Sequence, residues 1–196
     1  MDYGGVLTTS VIESFQVFSR AEGIEPGAIR RLFLEDEAAL AEIHALERGK
    51  LEDEEFERRF AARLGVEPAG LLGRMFAGAE PDEPMIAAVR AARASGLATA
   101  LVSNSWGLGI YDRSLVWELF DAVVISGEVG LRKPDPPIFL LAAERLGLEP
   151  AECAMVDDLP WNVSAAGALG MAGVLHHEAG RTVAELERLF GRQLGG

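Results

Sequence analysis

Four short segments of the chain carry side chains that could act together in one reaction. They supply carboxylates, a hydroxyl, an amide and an ammonium group, in the order Asp2, Ser103-Asn104, Lys133 and Asp157-Asp158. Adjacent carboxylates attract Mg²⁺, which takes one or two protein carboxylates together with water and phosphate oxygens. A further aspartate can attack phosphorus, while an ammonium and a hydroxyl stabilise the phosphoryl oxygens. The set is chemically complete for metal-assisted hydrolysis of a phosphate ester.

The elements that must position these groups are short strands in the second part of the chain. Apolar runs alternate there with helical segments, which predicts a parallel sheet covered on both faces. The predicted strands are Leu97–Val102, Ala122–Ile125, Cys153–Val156 and Ala172–Leu175, and the helices between and around them are Ile86–Ala94, Ser114–Phe120, Pro136–Leu146 and Val163–Leu169. Function gathers at the carboxyl ends of such strands. Ser103-Asn104 and Asp157-Asp158 fall at two of these ends.

Residues 8–84 have a different texture. Apolar side chains recur there at helical spacing, and glycines punctuate the stretch, which predicts four or five short amphipathic helices and no strand. We therefore expect an α/β core made of residues 1–7 and 85–196, with a helical unit of residues 8–84 inserted between them.

Composition restricts the class of protein. The chain has 196 residues and a formal net charge of −13, which argues against nucleic acid and anionic membranes as main partners. A single cysteine, Cys153, rules out an internal disulfide and fits a reducing compartment. The apolar runs are shorter than the ~20 residues of a membrane helix, and the first residues lack the features of an export signal. We expect a cytoplasmic protein, a monomer or a homodimer.

The order of the motifs resembles that of the haloacid dehalogenase-like (HAD-like) hydrolase superfamily. The resemblance rests on Asp2-Tyr3-Gly4-Gly5-Val6-Leu7, on Ser103-Asn104, on Lys133-Pro134-Asp135-Pro136, and on Val156-Asp157-Asp158 followed by Asn162. It implies a Rossmann-like parallel sheet core with a small inserted α-helical (C1) cap. It also implies a Mg²⁺-dependent phosphatase that acts on a small phosphorylated metabolite through an aspartyl phosphate.

The resemblance also implies a role for each motif residue. Asp2 is the expected nucleophile and a Mg²⁺ ligand. Ser103 and the backbone of Asn104 are expected to hold the phosphoryl group, and Lys133 to bridge nucleophile and phosphate. The other metal ligands implied are Asp158, Asp157 in support, and the backbone carbonyl of Gly4.

Two features depart from the family pattern. Most phosphatases of the family have a second aspartate where this chain has Gly4, and that aspartate protonates the leaving group, a contribution typically worth 10²–10⁴-fold. In addition, only Met1 precedes Asp2, whereas the family nucleophile ends a central apolar strand. We hypothesise that the start is mis-assigned or truncated and that apolar residues precede Met1. Otherwise the sheet lacks a central strand and Asp2 lies on a frayed terminus.

Two other functions use the same residues. A 2-haloacid dehalogenase attacks carbon with the same aspartate and needs no metal, but the Asp157-Asp158 pair argues against it. A weakly active or non-catalytic ligand-binding protein is the second alternative, motivated by Gly4. A receiver-type phosphoacceptor domain is disfavoured because its acidic pair comes first in the chain.

Other conspicuous residues are assigned to packing or to the surface. Cys153 is expected in a strand of the core. We interpret His44 and His176-His177 as structural or surface residues, since no nucleophile–histidine–acid arrangement is apparent. Trp106 fits the substrate entrance and core packing equally well.

Overall fold

The computed structural model describes residues 1–195, apart from the side chain of Leu108; Gly196, the last residue of the predicted core, lies outside the described residues. Five short helices occupy the first part of the chain, as predicted. They are α1 (Val11–Ala21), α2 (Ala28–Leu34), α3 (Glu37–Glu47), α4 (Asp53–Leu64) and α5 (Leu71–Phe76). Ser10 and Asp36 cap the first turns of α1 and α3 with their side chains. We call this group the helical layer.

In the described part of the chain, four strands of four residues each form two parallel pairs. β1 (Ala100–Ser103) pairs with β2 (Ala122–Ile125), and β3 (Ala154–Asp157) pairs with β4 (Ala172–Leu175). The prediction of parallel strands is confirmed, with β2 and β4 at their predicted bounds. β1 begins later than predicted because the backbone N–H of Thr99 donates to the Asp121 carboxylate rather than to a strand.

Six further helices follow, and five of them cover the strands. They are α6 (Glu83–Ala94), α7 (Arg113–Leu119), α8 (Ser126–Val129), α9 (Pro136–Leu146), α10 (Pro160–Ala168) and α11 (Ala179–Phe190). Leu101 and Val156 face a core cluster with α6, α7 and α11, whereas Val102 and Met155 face a second cluster with α9 and α10. This alternation gives the three layers expected of an α/β core. Within the described residues, no helix is long and apolar enough to cross a membrane.

Met1 and Asp2 connect the two strand pairs. The Met1 ammonium donates to the carbonyl of Ala100 at 2.7 Å, and the Met1 carbonyl accepts from the N–H of Val102 at 2.8 Å. On the other side, the N–H of Asp2 donates to the carbonyl of Val156 at 2.9 Å. Asp2 is only 8% exposed, so the expectation of a frayed Asp2 is wrong. An apolar cavity of 160 Å³ lies beside Met1, at the amino ends of β1 and β3.

Trp106 joins the core to the helical layer. It follows β1 in the chain, yet its indole is buried among phenylalanines of the helical layer, with ring centroids 5.5–6.3 Å from those of Phe15, Phe33, Phe56, Phe60 and Phe76. Burial of an aromatic side chain of this size contributes several kcal/mol. The structure therefore decides for packing, and Trp106 fixes the loop after β1 against the helical layer.

Candidate active site

The predicted residues meet at the carboxyl ends of β1 and β3. Ser103 is the last residue of β1 and Asp157 the last of β3, and Asp2 lies between the two strands. Lys133 reaches the same edge from the turn that precedes α9. Carboxyl ends of parallel strands point to one edge of the sheet, which explains how residues so distant in sequence come together.

Lys133 is the central cation of the site. Its side chain is 1% exposed, and its Nζ lies 2.7 Å from Asp2 Oδ1 and 2.7 Å from Asp157 Oδ2. Burial acts to lower the pKa of the ammonium, but the two carboxylates outweigh it and raise that pKa above its usual range. Lys133 is therefore charged and pairs with both aspartates.

Asn104 holds Lys133 by its backbone. Asn104 Nδ2 donates to the Lys133 carbonyl at 3.0 Å, and the Lys133 N–H donates to Asn104 Oδ1 at 2.8 Å. A pair of bonds to one residue fixes both position and orientation. The side chain of Asn104 thus has a positioning role that the sequence did not reveal, and the predicted phosphate contact of its backbone stays a prediction.

The two acids of the pair have different surroundings. Asp157 is fully buried; its Oδ1 accepts from the N–H of Leu159 at 3.0 Å and from Asn162 Nδ2 at 2.9 Å, while Lys133 contacts its Oδ2. Both oxygens of Asp157 therefore have protein donors. Asp158 forms no ion pair among the described residues, so its carboxylate is the one available to a ligand.

The site gathers negative charge. Asp2, Asp157 and Asp158 each offer an oxygen within 4.8 Å of the others. Burial, with the nearby acids adding to it, raises the pKa of Asp158 to about 7. Burial also raises the pKa of Asp2 to about 6 against the opposing effect of Lys133. One ammonium cannot balance three carboxylates, so the cluster favours a further cation.

Two further observations fit a metal ion in this place. Asn162 Oδ1 is buried without a hydrogen-bond partner among residues 1–195, beside the Asp157 carboxylate that its amide nitrogen contacts. An oxygen of this kind can accept from a metal-bound water. Gly5 has a φ of +73°, and a Cβ placed on it would lie 2.5 Å from Asp158 Oδ2. The absence of a side chain there leaves room around the free carboxylate. The donor set is therefore suited to Mg²⁺.

Gly4 lies in the turn that follows Asp2, which the Leu7 N–H closes onto the Tyr3 carbonyl. A Cβ placed on Gly4 would lie 2.9 Å from Cγ2 of Val11, at the start of α1. A side chain at position 4 therefore requires Val11 to move. The sequence showed that Gly4 replaces the second aspartate of the family, and the structure shows that Val11 lies close to this position.

Tyr111 is a site residue that the sequence did not indicate. Its hydroxyl donates to Ser103 Oγ at 3.0 Å, and its ring packs edge-on against Tyr3 with centroids 4.9 Å apart. Burial raises the pKa of the Tyr111 phenol well above its usual range, so it stays a donor and orients the Ser103 hydroxyl. A tyrosine outside any motif has no local signal that would have identified it.

The other conspicuous residues take structural places. His176 is buried and its Nδ1 lies 2.9 Å from Thr182 Oγ1. His44 lies half-buried on α3. Cys153 precedes β3 rather than lying within it, so the prediction that it lies in a strand is wrong; it is half-buried and packs against the core cluster of α9 and α10, as expected of a packing residue.

Over residues 1–170 the chain matches the haloacid dehalogenase-like hydrolase family. It belongs to this family of hydrolases. The assignment made from the four motifs is therefore confirmed, together with the α/β class of the fold.

The HAD-like hydrolase has relatives among characterised proteins and solved structures. It is 28% identical to the sesquiterpene phosphatase AstK of Aspergillus oryzae over 151 residues, which are 74% of this chain and 77% of that protein. A predicted HAD-like hydrolase from Porphyromonas gingivalis has the same fold, with a TM-score of 0.73 at 24% identity and coverage of 98% of this chain and 96% of that one. A HAD family enzyme of Bacteroides thetaiotaomicron, solved in complex with magnesium and inorganic phosphate, gives a TM-score of 0.61 at 21% identity, covering 90% and 91% of the two chains.

The first curated relatives are much longer proteins. The HAD-like hydrolase spans only about a tenth to a fifth of the length of the acyl-CoA dehydrogenase family member and the bifunctional epoxide hydrolases that it matches at 29–38% identity. The activities of those whole proteins therefore do not define the activity of this one.

From the pKa values of the carboxylate cluster we predict that the effect of Mg²⁺ on the stability of the HAD-like hydrolase depends on pH. The pKa values of Asp158 and Asp2, about 7 and about 6, lie above their ordinary value, so below these pH values the metal-free folded protein holds protons here that must leave before a cation binds. We expect 10 mM Mg²⁺ to raise the unfolding temperature by roughly 3–6 °C at pH 7.5 and by less than half of that at pH 5.5. Differential scanning calorimetry checks this.

The comparison with and without Mg²⁺ at each pH removes an opposing contribution. Burial lowers the pKa of the Met1 ammonium to about 5, so this group makes the folded state more stable as the pH rises above about 5. The raised pKa values of Asp2 and Asp158 have the opposite effect: they make the folded state less stable as the pH rises towards about 7. Asp158→Asn serves as the control and should show little response to Mg²⁺ at either pH. An equal Mg²⁺ response at both pH values would contradict the proton competition.

Proposed function

We propose that this HAD-like hydrolase is a Mg²⁺-dependent phosphatase that acts on a small phosphorylated molecule through an aspartyl phosphate on Asp2. One observation carries the proposal: a buried ammonium, Lys133, lies 2.7 Å from the carboxylates of Asp2 and Asp157. The carboxylate of Asp158, which has an oxygen within 4.8 Å of theirs, forms no ion pair with any residue that the structure describes. This arrangement supplies a nucleophile, a fixed positive charge for phosphate oxygens, and ligands for a divalent cation.

The metal site would use the acids that the protein leaves available. Asp158 is the main proposed ligand, with Asp2 and the Gly4 carbonyl; Asp157 supports the site because its own oxygens are held by Lys133, Leu159 and Asn162. When bound, Mg²⁺ neutralises the excess negative charge and polarises the phosphoryl group. Solved complexes of a structural neighbour with magnesium and phosphate support this assignment by analogy.

Asp2 is the nucleophile of the proposed reaction. Its Oδ1 accepts from the Tyr3 N–H at 2.7 Å and contacts Lys133, which fixes the carboxylate plane. Its Oδ2 is then the oxygen free to form a bond to phosphorus as the leaving group departs. Water subsequently cleaves the Asp2–phosphoryl bond, which returns the carboxylate and releases inorganic phosphate.

The phosphoryl oxygens would bind to three groups of the chain. Lys133 supplies a positive charge, Ser103 a hydroxyl oriented by Tyr111, and Asn104 a backbone N–H. Phosphoryl transfer needs chiefly such positioning and charge stabilisation. The leaving group meets less help, since Gly4 has no carboxyl group where most family phosphatases have a second aspartate.

We propose residues 8–84 as the cap that selects the substrate, with residues 1–7 and 85–196 as the core. The support is that the helical layer has its own apolar cluster, distinct from the two clusters on the strands, and meets the core through Trp106. The phosphatase relative AstK supports a phosphorylated substrate.

The test is a hydrolysis assay with p-nitrophenyl phosphate and a panel of phosphorylated metabolites, each with 5 mM Mg²⁺ or with EDTA. We expect turnover that requires Mg²⁺ and that Asp158→Ala lowers at least about 100-fold. A parallel assay measures halide release from 2-chloropropionate. Halide release that is unaffected by EDTA, without phosphatase turnover, would overturn the proposal in favour of a dehalogenase.

A further inference from the structure

Glu47 is a buried acid that the proposed mechanism does not use. It is the last residue of α3, is 6% exposed, and contacts Arg132 with Oε2 2.6 Å from the Arg132 Nε. Arg132 directly precedes Lys133 in the chain. Glu47 of the helical layer therefore forms an ion pair with the turn that carries Lys133.

A second ion pair holds the same turn, and in this pair the basic residue belongs to the helical layer and the acidic residue to the turn. Arg48, the residue after Glu47, places its Nη2 2.8 Å from Asp135 Oδ2, and the turn is closed by the Asp135 N–H, which donates to the Arg132 carbonyl at 2.9 Å. Glu47 at the end of α3 thus pairs with Arg132, which precedes Lys133, and Arg48 pairs with Asp135, which follows it. Such a pattern fixes the register of the two segments, because a slip would oppose like charges.

Backbone contacts hold the end of α3 in place for this purpose. Ser126 Oγ donates to the Glu47 carbonyl and accepts from the N–H of Ser105 at 2.8 Å, just after the Ser103-Asn104 motif. Gly49 packs against the carbonyl of Gly127 so closely that a side chain has no room there. The end of α3 therefore contacts the Lys133 turn directly and is linked through Ser126 to the loop that follows Ser103-Asn104.

We propose that Glu47 is a positioning residue that holds Lys133 in register with the phosphoryl site by anchoring Arg132. The proposal rests on the proposed function for the role of Lys133, and it makes the docking of the helical layer a condition for a well-placed ammonium. Substitution of a residue that orients an active-site group typically lowers activity 10–100-fold. Small displacements of a reacting group have effects of similar size.

The chain offers a matched control on the same helix. Glu42 of α3 forms an ion pair with Arg63 of α4, with Oε2 2.6 Å from Nη1, entirely within the helical layer. Glu42→Gln removes the same charge from the same helix without a direct contact to the Lys133 turn. An effect of Glu47→Gln that Glu42→Gln lacks is therefore not caused by the loss of a charge from α3 in general.

The first measurement is amide hydrogen exchange of residues 131–135, followed by mass spectrometry in the full chain. We expect Glu47→Gln to speed exchange in this turn at least fivefold and Glu42→Gln to leave it within twofold. Unchanged exchange in Glu47→Gln would overturn the inference, whether or not the protein is a phosphatase. Faster exchange in a protein without phosphatase turnover would leave the inference standing and refute the proposed function alone.

The second measurement separates positioning from stability. Glu47→Gln should lower kcat for p-nitrophenyl phosphate about 10–100-fold while the affinity for Mg²⁺ stays within twofold. The double variant Glu47→Gln/Arg132→Gln removes the unpaired buried charge and should regain thermal stability, yet its kcat should stay low because the anchor is still missing. Recovery of kcat together with stability would show that Glu47 acts only on folding and would overturn the proposal.

Discussion

Asp2→Asn should abolish hydrolysis of p-nitrophenyl phosphate, with a fall in kcat of at least about 10⁴-fold in the presence of Mg²⁺. The amide keeps the shape of the side chain and an oxygen that can accept from the Tyr3 N–H, but it is a far weaker nucleophile. Because Lys133 keeps its ion pair with Asp157 in this variant, Asp2→Asn should lower the unfolding temperature less than the loss of Lys133 does. Stopped assays with calibrated phosphate detection measure the residual rate.

A control on the surface separates this effect from a general loss of negative charge. Glu118→Gln removes an exposed carboxylate that pairs with Arg90 and should keep kcat within twofold of the unmodified protein. Hydrolysis by Asp2→Asn at more than a few per cent of that rate would exclude an aspartyl phosphate on Asp2 and with it the proposed mechanism.

Lys133→Met should reduce both stability and activity. Methionine keeps the length and apolar stem of the side chain, but it leaves Asp2 and Asp157 buried without the ammonium that lies 2.7 Å from each. Removing one partner of a buried ion pair costs about 3–5 kcal/mol, which for a chain of this length lowers the unfolding temperature by roughly 10 °C. Phosphatase turnover should fall at least about 10³-fold, since the charge opposite the phosphate is lost.

Two variants make the interpretation specific. Lys50→Met replaces the chain's other lysine, which is exposed, and should leave the unfolding temperature within about 1 °C. Lys133→Met/Asp157→Asn removes one of the unpaired carboxylates and should regain part of the lost stability without regaining turnover. If Lys133→Met unfolds at the same temperature as the unmodified protein, the buried ion pairs do not stabilise the fold.

Much of the architecture could be predicted because it depends on local patterns. The short apolar runs at Ala122–Ile125 and Ala172–Leu175 are sufficient to predict parallel strands, although only β2 is buried along its whole length. The bounds of β1 and β3 were predicted less accurately, since Leu97 and Cys153 are apolar without being paired in a strand. A hydrogen bond to a distant partner, such as that of Thr99 to Asp121, leaves no mark in the local sequence.

The sequence by itself determined the order and chemical identity of the motifs, and hence the family and the groups that meet at the strand ends. It did so because a strand end delivers whatever side chain follows it to one edge of the sheet. Only the tertiary structure decided which contacts those groups make: Asp157 is held by Lys133 and Asn162, whereas Asp158 forms no ion pair in the described part of the chain. The same holds for Tyr111 behind Ser103 and Glu47 behind Arg132. These contacts join residues far apart in the chain, and burial and distance, which set charge and hydrogen bonding, exist only once the chain has folded.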